Sequence, residues 1–154
     1  MAFALGEHSL EAAPWQQLQQ LLDACFPRPP CDVFERVLAA SHRRQRLWLA
    51  VGTSGELLGM VMLCPHSKGG HLDTLAVAPH ARGQGVGKAL VHRLIADTSL
   101  AGPGMVSLTT RIPEFFEPLG FHHCGQLADG STAMMVLKEL GYSGGEAHHA
   151  WSGE

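Results

Sequence analysis

The chain has 154 residues, enough to bury one hydrophobic core, and this length favours a single domain. Hydrophobic residues make up 45% and charged residues only 16%, so a compact globule is expected rather than a disordered chain. The formal net charge of −3 is not typical of proteins that bind nucleic acid or anionic membranes, and we expect neither partner.

The four cysteines are scattered and form no C-x-x-C pair: Cys25, Cys31, Cys64 and Cys124. This spacing indicates neither a zinc site nor a disulfide framework, so reduced thiols and no metal are expected. The N-terminal residues lack the cationic segment of a signal peptide, and no stretch approaches the roughly 20 apolar residues of a membrane span. We therefore expect a cytoplasmic protein.

Apolar periodicity and turn residues predict alternating helices and strands. Leu18, Leu21 and Leu22 have the spacing of one helix face, and Gly52–Gly55 separates two β-like runs as a hairpin turn does. The predicted elements are a strand at 2–8, helices at 14–24 and from Asp32, strands at 47–51, 57–63 and 71–77, a helix at 85–97, a strand at 105–110, a short segment at 113–119 and a hairpin of 121–126 with 133–137.

This mixed order predicts an α/β protein. Residues 1–140 are expected to form one domain, with a loop over residues 64–70. Residues 141–154 are rich in glycine and are predicted to be a flexible tail.

The stretch LDTLAVAPHARGQGVGKAL, from Leu72 to Leu90, combines an apolar strand, a glycine-rich loop and a helix. Within it, the loop from Arg82 to Lys88 alternates three glycines with other residues. Such a loop directs several backbone N–H groups into one space at the start of a helix. Together with the helix dipole and two cations, these donors favour a bound anion such as a phosphate or pyrophosphate.

The spacing of the loop excludes the two best-known phosphate loops. A P-loop needs glycine where Arg82 stands and serine or threonine where Ala89 stands. The dinucleotide fingerprint counted from Gly83 needs a third glycine where Lys88 stands. The remaining pattern, R-G-Q-G-V-G, resembles the [RQ]-x-x-G-x-[GA] loop with which GCN5-related N-acetyltransferases (GNAT) hold acetyl-CoA.

A second motif, FFEPLGF from Phe115 to Phe121, is similar to the F-Y-x-x-x-G-F segment that closes the acetyl-CoA site in the same family. Two motifs in the expected order are more specific than either alone, and the resemblance covers about residues 46–138. The segment Leu108–Arg111 more weakly resembles the acetyltransferase domain of N-acetylglutamate synthases.

The resemblance implies the GNAT acyl-CoA N-acyltransferase fold, a mostly antiparallel central sheet flanked by helices, with acetyl-CoA as cosubstrate. In that family the pantetheine arm bonds to the backbone of a splayed strand, and the loop surrounds the pyrophosphate. The cofactor-binding residues that the resemblance implies are Leu75, Ala76, Val77, Arg82, Gly83, Gln84, Gly85, Val86, Gly87, Lys88 and Phe116.

Catalysis would require a base for the acceptor amine. His71 and Asp73 lie two apart on one predicted strand and therefore share a face. In the resembled family, carboxylates or histidines at these two positions often act as the base; the structural alternative is a strand residue that is exposed or hydrogen-bonded. Thr110 and Arg111 are the predicted substrate-binding residues, with Arg111 pairing with an acceptor carboxylate. The structural alternatives for Arg111 are a solvated side chain or a salt bridge within the fold.

The general acid is a departure from the family. Phe116 stands where many members carry a tyrosine, and a phenyl ring cannot donate a proton. Water, Cys124, His122 or His123 could replace it, or coenzyme A could leave as a thiolate without an acid.

The predicted function is therefore transfer of an acetyl group from acetyl-CoA to a primary amine by direct attack in a ternary complex. The acceptor would be a small molecule, an amino acid or a peptide. The alternative is a regulatory module that binds acyl-CoA without turning it over. A homodimer is a further expectation, because an exposed final strand could pair between subunits.

Overall fold

The computed structural model describes residues 2–26, 45–67, 69–99 and 104–138. The helix predicted from Asp32 and the tail predicted at 141–154 lie outside the described residues. The elements are β1 (Phe3–His8), α1 (Trp15–Cys25), β2 (Arg46–Gly52), β3 (Leu57–His66), β4 (Gly69–Val77), α2 (Val86–Ser99), β5 (Gly104–Thr110), α3 (Pro113–Phe116), β6 (His122–Gln126) and β7 (Thr132–Lys138), with 3-10 turns at Leu10–Ala12, Pro79–Ala81 and Glu117–Leu119.

The predicted α/β class is confirmed. The seven strands found among the described residues have the hydrogen-bonded order β1-β2-β3-β4-β5-β7-β6, and the pairs whose register is known are antiparallel except for β4 with β5. Among the described residues, none of the helices combines the length and the apolar composition that crossing a membrane requires.

The described residues divide into two compact units. The first unit contains residues 2–26, 45–65 and 73–91, and the second contains residues 66–67, 69–72, 92–99 and 104–138. Because β4 and α2 each contribute residues to both, the units are not sequence domains in the ordinary sense. The prediction of one domain over residues 1–140 stays a prediction.

In the first unit, β1 pairs with β2 and β2 with β3, all antiparallel. Helix α1 buries Leu18, Leu21 and Leu22, the three residues that the periodicity placed on one face. Trp48 in β2 is fully buried, and the guanidinium of Arg46 lies 4.9 Å from its ring centroid. Arg46 also forms a two-pronged ion pair with Glu7 of β1, with the shorter N–O distance 2.7 Å. The apolar runs of this half therefore form core strands, as predicted.

In the second unit, β7 pairs antiparallel with both β5 and β6. Val106 and Leu108 of β5 and Met134 and Val136 of β7 alternate into the core, as period-two strands require. Gly120 ends the segment predicted at 113–119 with φ +99°, the left-handed conformation expected of a helix stop. The final hairpin is confirmed, and every residue of β6 is exposed.

The loop predicted over residues 64–70 is wrong. Strand β3 continues to His66 and β4 begins at Gly69, which leaves a much shorter connection. Proline and glycine in this stretch indicate a turn. Both strands nevertheless extend into the stretch, because pairing between strands cannot be inferred from local composition. Gly69 has φ +138°, and a Cβ atom on it would lie 1.9 Å from the carbonyl oxygen of Met105. Only glycine allows that approach.

Candidate active site

The predicted loop lies between the 3-10 turn Pro79–Ala81 and the start of α2, in the first unit. Gly83 and Gly85 have φ +78° and +83°, a conformation that other residues adopt at a cost. A Cβ atom on either glycine would meet nothing within 4 Å. The glycines are therefore required by the backbone conformation rather than by crowding, and the space beside the loop is open.

The beginning of α2 supplies backbone donors. Ala89 N–H donates to the Gly85 carbonyl at 2.9 Å, which is the first turn of the helix. The N–H groups of Val86, Gly87 and Lys88 precede that bond and have no acceptor within the helix. The Lys88 side chain is exposed beside them. Three donors, a helix dipole and an exposed cation at the start of α2 are groups that favour an anion, and binding of an anion by this loop stays a prediction.

Arg82, the other cation of the loop, is bonded to the last residue of β4. Its Nε donates to the Val77 carbonyl at 3.1 Å, and its Nη2 lies 3.5 Å from the sulfur of Cys25 at the end of α1. The Cys25 thiol also donates to the Val77 carbonyl, at 3.3 Å. The structure therefore brings together two predicted cofactor residues, Arg82 and Val77, and adds Cys25, which sequence reasoning did not include.

The strand and the helix on either side of the loop pack closely on β3. A Cβ atom on Gly59 would lie 3.0 Å from the Ala76 carbonyl oxygen, 3.0 Å from Leu90 Cδ1 and 3.1 Å from Val86 Cγ1. Ala78 N–H donates to the Leu58 carbonyl at 2.8 Å. These contacts fix both ends of the loop to the same strand.

Along β4 the side chains alternate as predicted. The side chains of Leu72, Thr74 and Ala76 are buried, and those of Leu75 and Val77 are half-buried. Because the Ala76 side chain is only 3% exposed, any role of this residue towards a ligand would fall to its backbone.

The two predicted bases differ in their surroundings. Asp73 is exposed, and its Oδ2 accepts a hydrogen bond from the Thr74 hydroxyl at 3.3 Å. His71 is half-buried in the second unit, and its Nδ1 lies 3.0 Å from the Ser107 hydroxyl oxygen. Ser107 was missed by sequence reasoning because its contact with His71 depends on strand pairing.

The predicted acceptor residues lie at and just after the end of β5. The Thr110 hydroxyl accepts from Ile112 N–H at 3.0 Å, which caps the strand end. Arg111 Nη2 lies 3.6 Å from Asp129 Oδ2, and the two side chains are 67% and 61% exposed. The salt bridge that was the structural alternative for Arg111 is therefore present, in an exposed position where such pairs contribute little to stability.

Asp129 is held by its own turn. Its Oδ1 accepts from the Ser131 N–H at 2.9 Å and from the Ser131 hydroxyl at 2.6 Å. These bonds, with a smaller effect of the Arg111 charge, lower the pKa of the Asp129 carboxyl. The sequence predicted a hairpin whose turn includes Asp129, but it gave no sign that Asp129 pairs with Arg111.

Phe116 packs edge-on against two other rings, with centroids 4.9 Å from Phe115 and 5.6 Å from Phe121. It is only 4% exposed, so its ring offers little surface to a ligand in this structure. Of the candidate acids, His122, His123 and Cys124 are exposed on β6. His123 Nε2 lies 2.5 Å from Glu117 Oε2. Tyr142, the only tyrosine in the sequence, lies outside the described residues.

The described ranges contain no group of three or more His, Cys, Asp or Glu side chains arranged to hold a metal ion. Cys25, Cys64 and Cys124 are free thiols.

A family comparison decides the identity of the fold. The model of the Acetyltransferase (GNAT) family matches residues 15–121, which include both the glycine loop and the segment ending at Phe121. The chain belongs to the GNAT family of acetyltransferases. The family assignment made from the two motifs is thus confirmed, and the match begins at α1, well before the region in which the resemblance was seen.

Among known relatives of this GNAT chain is the peptidyl-lysine N-acetyltransferase YjaB of Salmonella typhimurium, 34% identical over 87 residues. That alignment covers 52% of this chain and spans about half of the relative's own length, 52%.

Solved structures share the GNAT fold over most of the chain. An aminoglycoside 6'-N-acetyltransferase complexed with coenzyme A superposes with a TM-score of 0.76 at 22% identity, covering 87% of this chain and 96% of that one. The ribosomal-protein-S18-alanine N-acetyltransferase from Escherichia coli gives 0.74 at 18% identity, covering 89% and 96%. At sequence identities of 22% and 18%, this structural similarity shows that the fold is shared and nothing further.

Proposed function

We propose that this GNAT protein transfers an acetyl group from acetyl-CoA to a primary amine, by direct attack of the amine in a ternary complex. The observation that carries the proposal is the loop Arg82–Lys88, in which two glycines with positive φ open onto the first turn of α2. Because the chain belongs to the GNAT family, the anion that such a loop would bind is the pyrophosphate of acetyl-CoA.

The loop and β4 would bind different parts of the cosubstrate. The N–H groups of Val86, Gly87 and Lys88, with the charges of Arg82 and Lys88, suit the pyrophosphate. The backbone of Leu75 and Val77 would hydrogen-bond the pantetheine arm. Since Arg82 and Cys25 both bond to the Val77 carbonyl, pantetheine binding at this residue would share or displace those bonds.

The reaction needs a neutral amine and a leaving group. Acetyl-CoA supplies an activated acyl group on a good leaving thiolate. His71 or Asp73 would accept the proton that the amine loses as its nitrogen bonds to the acetyl carbon. Nδ1 of His71 lies within hydrogen-bonding distance of the Ser107 hydroxyl, whereas Asp73 is exposed to water. Phe116 has no proton to donate, so the thiolate would leave unassisted or take its proton from water or an exposed β6 side chain.

The class of acceptor is supported by the kinds of amine named for relatives. A peptidyl lysine, an aminoglycoside and the α-amine of an alanine are all primary amines. Arg111, exposed at the end of β5, would pair with an acceptor carboxylate if it exchanged its Asp129 partner, and Thr110 lies beside it. The final described strand, β7, is paired on both sides with β5 and β6, so the expectation that an exposed final strand pairs between subunits is wrong. Cytoplasmic localisation and a homodimer, here paired through the exposed edge strand β6, remain part of the proposal.

The alternative is a non-catalytic module that binds acyl-CoA. One observation favours it: the residue at the family's tyrosine position is Phe116, and its ring is buried among other phenylalanines. A module of this kind would keep the loop and lose turnover.

Two measurements on the full chain test the proposal together. Thermal unfolding is followed with and without acetyl-CoA, and release of free thiol is followed with a lysine peptide, a peptide with N-terminal alanine, an aminoglycoside and free amino acids. We expect acetyl-CoA at about 100 times its Kd to stabilise the fold by about 2.7 kcal/mol. Thiol release should depend on at least one amine, and mass spectrometry should show the acetylated product.

The outcomes separate the hypotheses. Stabilisation by acetyl-CoA without amine-dependent thiol release across the panel would favour the binding module. Absence of any stabilisation would contradict both hypotheses. Transfer of the acetyl group to the protein itself before the amine is added would contradict direct attack in a ternary complex.

A further inference from the structure

The contact between His71 and Ser107 joins a proposed base to a residue that has no assigned role. Nδ1 of the imidazole lies 3.0 Å from the Ser107 hydroxyl oxygen, and both side chains are half-buried. We propose that Ser107 is a positioning residue for His71: its hydroxyl oxygen accepts a hydrogen bond from Nδ1–H and thereby keeps the lone pair of Nε2 available for the proton of the acceptor amine. This inference rests on the proposed acetyl transfer.

Backbone pairing fixes the contact. In the parallel register, Gly69, Gly70 and His71 of β4 lie opposite Met105, Val106 and Ser107 of β5. Residues opposite one another in neighbouring strands project to the same face of the sheet. The pair is therefore set by the ladder itself, which depends on the close approach of Gly69 to Met105.

The chemistry of imidazole decides which group donates. A neutral imidazole carries one N–H and one acceptor nitrogen, and a serine hydroxyl can either donate or accept. If the hydroxyl donated to Nδ1, Nε2 would carry the ring proton and could not accept another. If Nδ1–H donates to Ser107, Nε2 accepts the proton. Once both ring nitrogens are protonated, Nδ1–H still donates to the same oxygen, so the bond persists through the reaction.

The proton and bond changes balance with this assignment. The neutral amine nitrogen forms a bond to the acetyl carbon as the carbon–sulfur bond breaks, and coenzyme A leaves as the thiolate. The proton lost by the amine is held on Nε2 and later passes to the thiolate or to solvent. Ser107 gains and loses no proton in this sequence, which is why it positions the base and is not itself catalytic.

Beyond Ser107, the same row of the sheet continues onto β7 and β6. The residue opposite Ser107 on β7 is Met135, and opposite Met135 on β6 is His122. A methionine sulfur is a weak acceptor. Without the hydroxyl, the next residue of the row would hold the imidazole poorly, and the ring could rotate and exchange its tautomer.

The test combines spectroscopy with kinetics on the full chain. Ring nitrogen shifts of ¹⁵N-labelled protein report the tautomer, and the His71 signals, one set among ten histidines, are those missing from His71→Gln. Ser107→Ala removes the hydroxyl, Ser107→Thr keeps it, and Ser54→Ala makes the same change in the exposed turn between β2 and β3. The kinetic substrate is the acceptor found most active in the panel above, with acetyl-CoA.

The wild type should show a protonated Nδ1 and an unprotonated Nε2, and this pattern should persist in Ser107→Thr and be lost in Ser107→Ala. We expect kcat to fall about 10-fold in Ser107→Ala and about 100-fold in His71→Gln, because an oriented base contributes at least that much. KM for acetyl-CoA should stay within about twofold of wild type in both, since Ser107 holds the base and not the cosubstrate. Ser54→Ala should match wild type in both measurements.

An unprotonated Nδ1 in the wild type would overturn the assignment, since the hydroxyl would then be the donor. Unchanged kcat in Ser107→Ala, with the wild type turning over, would overturn the role of Ser107 alone. A wild type that shows the expected tautomer but transfers no acetyl group would overturn the proposed function, and with it any catalytic meaning of the pair.

Discussion

The glycine loop Arg82–Lys88 and the polar pairs of the second unit present their chemistry in different ways. The loop offers backbone groups: two positive φ angles and the first turn of α2 orient its N–H groups. The pairs His71–Ser107 and Arg111–Asp129 join side chains that are far apart in sequence. Backbone sites leave a local pattern in the sequence, and side-chain pairs depend on strand register.

The largest effect is expected where the register itself is broken. Gly69→Ala places a Cβ atom within 1.9 Å of the Met105 carbonyl oxygen at a residue with φ +138°. Strain and overpacking together should lower the free energy of unfolding by about 3 kcal/mol or more, measured by urea denaturation. Gly6→Ala in β1 is the matched control, because its Cβ atom would meet only His8 at 3.7 Å. Equal stability of the two variants would contradict the close β4–β5 approach.

A smaller effect, confined to ligand binding, is expected from the loop. Gly85→Ala disfavours the left-handed backbone conformation at this position by about 1–2 kcal/mol. If the loop relaxes to another conformation, its N–H groups no longer point towards the ligand. The Kd for coenzyme A, measured by calorimetry, should therefore rise about tenfold.

The control for this change is Gly55→Ala in the β2–β3 turn. Gly55 has φ +86°, close to the +83° of Gly85, and a Cβ atom on either meets nothing within 4 Å. Both variants should lose similar stability, and only Gly85→Ala should lose affinity. If Gly55→Ala weakened binding as much, the loop would not be the anion site.

The smallest effect is expected from the exposed pair. The pKa of Asp129 is lowered in the fold, so its contribution to stability is present at neutral pH and is lost as pH falls through the folded-state pKa, below the usual 3.8. Asp129→Asn should lower the thermal midpoint slightly at neutral pH and have less effect in acid. Arg111→Gln is the comparison, since the Ser131 hydrogen bonds act on Asp129 more strongly than the Arg111 charge. If Arg111→Gln lowered the thermal midpoint more than Asp129→Asn, the Arg111 charge would matter more than the Ser131 hydrogen bonds, contrary to this expectation.

Much of the fold could be predicted from the sequence because its signals are local. In each of the elements α1, β2, β3 and α2, the apolar residues that indicate the element lie within a few positions of one another along the chain. Almost all of these residues are buried. The glycine loop was found for the same reason. The loop expected at 64–70 was wrong because proline and glycine report local turn preference, whereas β4 is extended by pairing Gly69 with Met105, more than thirty residues away.

The sequence by itself determined the family and the position of the glycine loop, because glycine spacing and the FFEPLGF segment are contiguous patterns that reflect backbone conformation. Tertiary structure alone decided the partners of the side chains. His71 meets Ser107 because parallel strands place residues opposite one another on one face, and Arg82 meets Cys25 because α1 ends beside the last residue of β4. Such contacts join residues 36 and 57 positions apart, and no local pattern encodes them.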